Sequence, residues 1–357
     1  MTCFLLMTLI FAGLLAPTSA VPSSSSTGVL LVANKGDQTI GLVDPDSGRQ
    51  VATVVEGGVT GHEVAASPDG SRAFVPIYGN SGVGLPGTDG STIAVIDLGE
   101  HKLIHTIDFG HGVRPHCAVF GPKDGLLYVT TELDKSVAII DSQSLKIVGS
   151  VPTGQAESHM LAISPDGSKG YTANVGPGTV SVLDLAGRKT LTVIPVAGHV
   201  QRISLSPDGH WAFTAETEKP RLAVIDTATN KVLRWIALPG TGYGTAPTPD
   251  GKWLLVAIPS TNEVAVVDIP TMRVIRTIKV PSSPQEVLVR TDGMVAYVSC
   301  SASHQIAAIQ INDWNVKLIE AGRGADGLAW ARRFSVGMVR VPLAPSRSAS
   351  DAAAGRR

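Results

Sequence analysis

The chain has 357 residues, 43% of them hydrophobic and 17% charged. That is enough apolar material for a sizeable core and too little charge for a disordered chain. Its 29 basic and 30 acidic side chains leave a net charge of −1, so it carries no electrostatic footprint for nucleic acid or for an anionic membrane.

The chain opens on an apolar run of thirteen residues, Phe4 to Ala16, followed by Pro17-Thr18-Ser19-Ala20. The run is too short to span a bilayer, and its small-residue ending suits signal peptidase. Residues 1–20 are therefore expected to be a signal peptide, cleaved near Ala20, with the mature protein secreted or periplasmic. Cys3 precedes the apolar run, which does not fit a lipoprotein. Cleavage leaves Cys117 and Cys300, with no spacing that implies pairing. There is no C-x-x-C-H for a c-type haem and no C-x-x-C pair. No other segment is long and apolar enough for a transmembrane helix.

From residue 27 a repeat takes over. A Ser-Pro-Asp-Gly turn or a relative of it places glycine at Gly70, Gly125, Gly167, Gly209, Gly251 and Gly293, mostly 42 residues apart. An alternating apolar strand ends in aspartate at Asp44, Asp97, Asp141, Asp184, Asp226 and Asp268, and a seventh copy has Gln310 there. Each copy reads as four short strands with turn signals every eight to twelve residues, as in an all-β fold. The aspartates and the Pro-Asp-Gly turns are assigned to turn capping, because short acceptors satisfy turn amides and glycine takes a positive φ. Seven such units predict a seven-bladed β-propeller of four-stranded antiparallel blades over residues 27–331. The first copy lacks an innermost strand. "ADGLAWA", Ala325 to Ala331, resembles the missing one and is expected to complete blade 1. Residues 332–357 read as a disordered tail.

The segments "LLVANKGDQTIGLVD", "LYVTTELDKSVAIID" and "GYTANVGPGTVSVLD" resemble the YVTN-type repeats of bacterial and archaeal seven-bladed propellers. The resemblance supports the architecture and is poor for activity. Proteins of that kind include the haem-d1-binding domain of cytochrome cd1 nitrite reductase, surface-layer proteins, and lactonase-like or lyase enzymes. Haem-d1 handling is thus implied by resemblance alone.

In a propeller the first strand of each blade lines the central channel. One position on it, five before the Ser of the turn, reads His62, His116, His159, Gln201, Tyr243, Gln285 and, from the closing strand, Asp326. Three histidines on consecutive blades 2, 3 and 4 converge on one rim. Neutral imidazole is a common metal ligand, and copper, zinc or iron would suit three of them. A small organic ligand fits the same mouth, as does simple wetting of a polar rim.

The ends of the second strands, Asn34, Tyr78, Thr131, Glu132, Asn174 and Glu216, share this face. So does a Gly-rich insertion in blade 2, "YGNSGVGLPGTDGS", Tyr78 to Ser91. Tyr78, Asn174, Gln201, Tyr243, Gln285 and Asp326 are candidate ligand-binding residues, and Arg114 is a candidate for steering an anion. Strand alternation is expected to turn Glu63 away from His62, which leaves Glu216 and Glu132 as candidate acid–base groups. Cys117 reads as buried filler. His101, His105, His111, His199, His210 and His304 read as solvated, with His199 the nearest of them to the mouth.

No nucleophile motif is present. The primary expectation is an exported, monomeric binding protein whose channel mouth takes a small ligand, a metal or a cell-envelope partner. The alternative is a metal-assisted lactonase, hydrolase or lyase at the same mouth. Propeller enzymes of that kind hold metal with more carboxylates than this chain offers there.

Overall fold

The computed structural model describes residues 28–332. The expected signal peptide and most of the expected tail lie outside the described residues. The described chain is all-β, in seven four-stranded antiparallel sheets. The innermost strands are Ala325–Arg332, Ala65–Ala66, Pro115–Phe120, Ser158–Ile163, Val200–Leu205, Thr245–Pro247 and Pro284–Val289, for blades 1 to 7. Blade 1 takes its inner strand from the C-terminal end. Ala325–Arg332 pairs antiparallel with Gly28–Asn34, Leu30 opposite Trp330, and so joins the two ends of the chain in one blade and closes the ring.

The local chemistry of the turns is the capping the sequence indicates. Asp166 accepts from the Ser164 hydroxyl (2.6 Å) and the Ser168 amide (3.0 Å), while Gly167 takes φ +74°. At the end of a third strand, Asp97 accepts from the amides of Gly99 (2.9 Å) and Glu100 (2.8 Å). Such turns occupy the side-chain oxygens of these aspartates and leave them no chemistry.

Second strands are almost wholly buried and third strands nearly so, whereas outer strands are largely exposed, as in Arg49–Val55, where Val54 alone is buried. The core therefore lies between neighbouring blades. One cluster joins Cys117 and Tyr128 of blade 3 to Leu161 and Tyr171 of blade 4 and Ile203 of blade 5. Each large side chain buried there contributes about 1.5–3 kcal/mol. Cys117 and Cys300 are both buried free thiols.

One irregularity shapes the channel. In blades 3, 4, 5 and 7 the pairing of the inner strand with the second strand slips at its first residues, between Pro115 and Ala118, Ser158 and Met160, Val200 and Ile203, and Pro284 and Val287. A bulge breaks the strict in–out alternation of side chains. Two successive residues per blade can then face the axis or its borders. In blade 2, His62 and Glu63 precede the regular pairing altogether.

The link between blades 1 and 2 contains a buried acid. Glu56 accepts from the Gly61 amide at 2.6 Å, and its other carboxylate oxygen has no partner. Burial pushes its pKa up to about 7, against the opposing effect of the Gly61 hydrogen bond. The folded state thus holds this proton more tightly than the unfolded chain does. Stability is full below the ordinary glutamate range and falls as pH rises through about 7. Glu56→Gln, which keeps an acceptor for Gly61, is expected to be nearly neutral at pH 5 and to stabilise by up to about 3 kcal/mol at pH 8. Denaturant melts at the two pH values measure this.

Candidate functional site

The three histidines meet. The rings of His116 and His159 are stacked at 3.6 Å between centroids, and His62 stands edge-on to His116 at 5.4 Å. Tyr78 joins them, at 5.1 Å from His62, 5.4 Å from His116 and 6.0 Å from His159. Gln201 of blade 5 extends the cluster, its Nε2 3.4 Å from His159 Nε2. His116 and His159 are buried, and the Nδ1 atom of each has no hydrogen-bond partner. Burial is the main force on all three imidazoles. It brings His62 down to about 4, with Asp326 opposing, and holds His116 and His159 well below the ordinary histidine value. At neutral pH the cluster is therefore uncharged and rich in lone pairs.

A buried ion network sits beside it. Arg202, the residue after Gln201, reaches from blade 5 to three other blades. It contacts Glu63 of blade 2 at 2.8 Å, Asp326 of blade 1 at 3.4 Å, and Glu286 of blade 7. Lys35 holds the other oxygen of Asp326 at 3.1 Å, and Tyr243 lies against the Arg202 guanidinium at 5.1 Å. The repeat position of Arg202 reads Glu63, Cys117, Met160, Arg202, Gly244, Glu286 and Gly327 around the ring. The two glycines clear the way. A Cβ at Gly244 would meet Gln285 O at 2.1 Å, and one at Gly327 would meet the backbone of His62 and Glu63 at 2.6 Å. Three carboxylates thus face two cations. Burial raises the pKa of both Glu63 and Glu286, against the pull of Arg202.

This corrects the expectation for Glu63. It points to the channel because the strand has no regular pleat at that point. The Arg202 network was missed for the same reason. Its signal was legible: three charged residues at one repeat offset in otherwise small or apolar strands.

The remaining candidates are placed as follows. Arg114 is buried, with Nε on Asp89 (2.7 Å), Nη1 on Glu132 (3.2 Å) and Gly82 O (3.4 Å), and Nη2 on Leu85 O (2.8 Å). Its donors are taken by the blade 2 insertion and Glu132. Glu132 also accepts from the Tyr78 hydroxyl and the Gly84 amide. Asn174 is buried inside blade 4, bonded to Ser158, Thr179 and Ser181, and serves the blade. Glu216 pairs with Arg221 and Lys219. Gln285 is bonded to Ser283 at 3.0 Å. His199 pairs with Glu218 at 2.7 Å and does not join the mouth cluster. Among the described residues, no three His, Cys, Asp or Glu side chains stand in a ready metal-holding arrangement. His116 and His159 are stacked face to face, so their lone pairs do not converge.

No protein-family description matches the chain, and no curated relative does. Solved structures do match. Hydrazine synthase from Kuenenia stuttgartiensis superposes with a TM-score of 0.65 at 18% identity, over 86% of this chain and 99% of that one. At that identity the likeness shows the fold alone. Altogether 1686 solved chains match, so the architecture by itself points to no single activity.

Arg202 should dominate the stability of the mouth. Arg202→Ala leaves buried carboxylates facing one another and is expected to cost about 3–5 kcal/mol, most of it recovered when Glu63 and Glu286 are changed to glutamine in the same chain. Denaturant midpoints of the single and triple variants check it.

Proposed function

We propose that this chain is an exported β-propeller binding protein whose channel mouth holds a small ligand, with a transition-metal ion the ligand that its histidines suit best. The observation that carries the reading is the pair of buried, unpartnered Nδ1 atoms on His116 and His159. Buried polar atoms are nearly always satisfied, and the exceptions point to a missing partner. Neutral imidazole nitrogens bind copper, zinc or iron through a lone pair, and no protein group holds these two nitrogens. His62, His116 and His159 would supply three such nitrogens once the stacked rings turn about their side-chain torsions.

The charges do not favour an anion. Arg114, Arg202 and Lys35 are all paired with carboxylates, so an anionic ligand finds no free positive partner at the mouth. Binding is favoured over hydrolytic or lyase chemistry by the same accounting. Of the two candidate acid–base groups, Glu132 is taken by Arg114 and Tyr78 and Glu216 by Arg221. Export rests on the apolar run and small-residue ending of residues 4–20.

Elemental analysis tests the reading, on protein exported by its own signal and purified without chelators. The account predicts near-stoichiometric copper, zinc or iron. It predicts none in a variant with His62, His116 and His159 all changed to alanine and an unchanged circular dichroism spectrum. Absence of metal from both, after an attempt to load the parent, would sink the metal reading.

A further inference from the structure

The burial of His116 and His159 needs an explanation, because their ring position lies at a channel mouth. The blade 2 insertion lies against the same blades. Between Gly79 and Gly90 the chain leaves blade 2 and is tied down on blade 3. Arg114 donates to Gly82 O, Leu85 O and the Asp89 carboxylate, and Glu132 accepts from the Gly84 amide. The insertion then reaches blade 4, where Gly84 lies so close to the Glu157 carboxylate that a Cβ there would stand 2.5 Å from it. Arg114 and Glu157 each precede their blade's histidine by two residues, on the side from which the strand enters, and both take a left-handed backbone, φ 50° and 55°. The insertion therefore lies against the entries of both blades that carry the orphaned imidazoles.

We propose that this segment is a latched lid over the histidine pocket, with Arg114 as the latch, and that it makes the site selective for a bare metal ion over a chelated ion or an organic ligand. This rests on the binding reading above. Two features of the lid support it. Most of its residues are exposed, but Ser81 is buried with its hydroxyl unpartnered. The side-chain fastenings to blade 3 run through Arg114 and Glu132, whose own ion pair (3.2 Å) is buried, and Arg114 makes three of the four. Long loops on a rigid scaffold commonly gate a site in this way. Arg114, a candidate anion holder by sequence, is thereby assigned a positioning role.

The test uses two readouts on the full chain, on Arg114→Ala, and on a second variant with residues 83–87 excised. The first is the rate at which diethylpyrocarbonate modifies each histidine, read by peptide mass spectrometry against the exposed His101 and His105 as internal standards. His116 and His159 should react at least about tenfold more slowly than those standards in the parent, and about tenfold faster than in the parent once the lid is loosened or shortened. The second compares aqueous nickel with nickel nitrilotriacetate, whose bulk needs an open site. The parent should take the bare ion only, and the shortened-lid variant both. Unchanged slow modification in the excised variant, with its fold intact, would overturn the lid, because the blades alone would then bury the rings. Equal binding of both nickel forms by the parent would overturn the selectivity. Nickel bound by neither form in any variant would overturn the metal reading and the selectivity with it, while the modification rates would still decide whether the lid exists.

Discussion

Arg202 is the contact on which the centre of this propeller depends. Seven inner strands converge on one axis, and slips in the pairing at the entrances of several of them let two successive side chains approach it. That crowding admits few solutions. Here the second position carries on blade 5 a guanidinium that links blades 1, 2, 5 and 7, and on two other blades Gly244 and Gly327, where any side chain would strike backbone. A buried cation with several carboxylate partners is costly to disturb, although it is not itself a large source of net stability. Its value lies in fixing which side chains face which way.

The histidines follow from that arrangement. The carboxylates accompany Arg202 and Lys35 on blades 1, 2 and 7, while blades 2, 3 and 4 present imidazoles. The mouth is thus divided into a charged half and a neutral, lone-pair-rich half. Burial keeps the imidazoles unprotonated. A site so built offers neutral nitrogen ligands and no unpaired cation, which is a physical reason to read the three histidines as more than a repeated residue. The same burial is also why Tyr78 and Glu132 act as a fixed wall and not as a free acid–base pair.

The sequence carried the architecture well, because a 42-residue period and a recurring turn are long, redundant signals. Closure by Ala325–Arg332 was readable from an unpaired first copy and a matching last segment. The convergence of His62, His116 and His159 was readable from one shared repeat offset. Pairwise detail was not. Alternation misdirected Glu63, since it assumes a regular pleat and the inner strands are irregular at that point. Arg114 and Glu132 looked like a free anion holder and a free base, because nothing in a linear sequence shows that a loop from the preceding blade occupies both. Asn174 and Glu216 share the face but are taken up by partners within their own blades.

X-ray absorption at the zinc edge, on the zinc-loaded full chain, tests the central claim most directly. The account predicts a shell dominated by about three nitrogens at about 2.0–2.1 Å, with the outer-shell scattering of imidazole rings, and loss of that signal when the three histidines are alanine. An oxygen-dominated shell without imidazole scattering, or the same spectrum from the alanine variant, would contradict it.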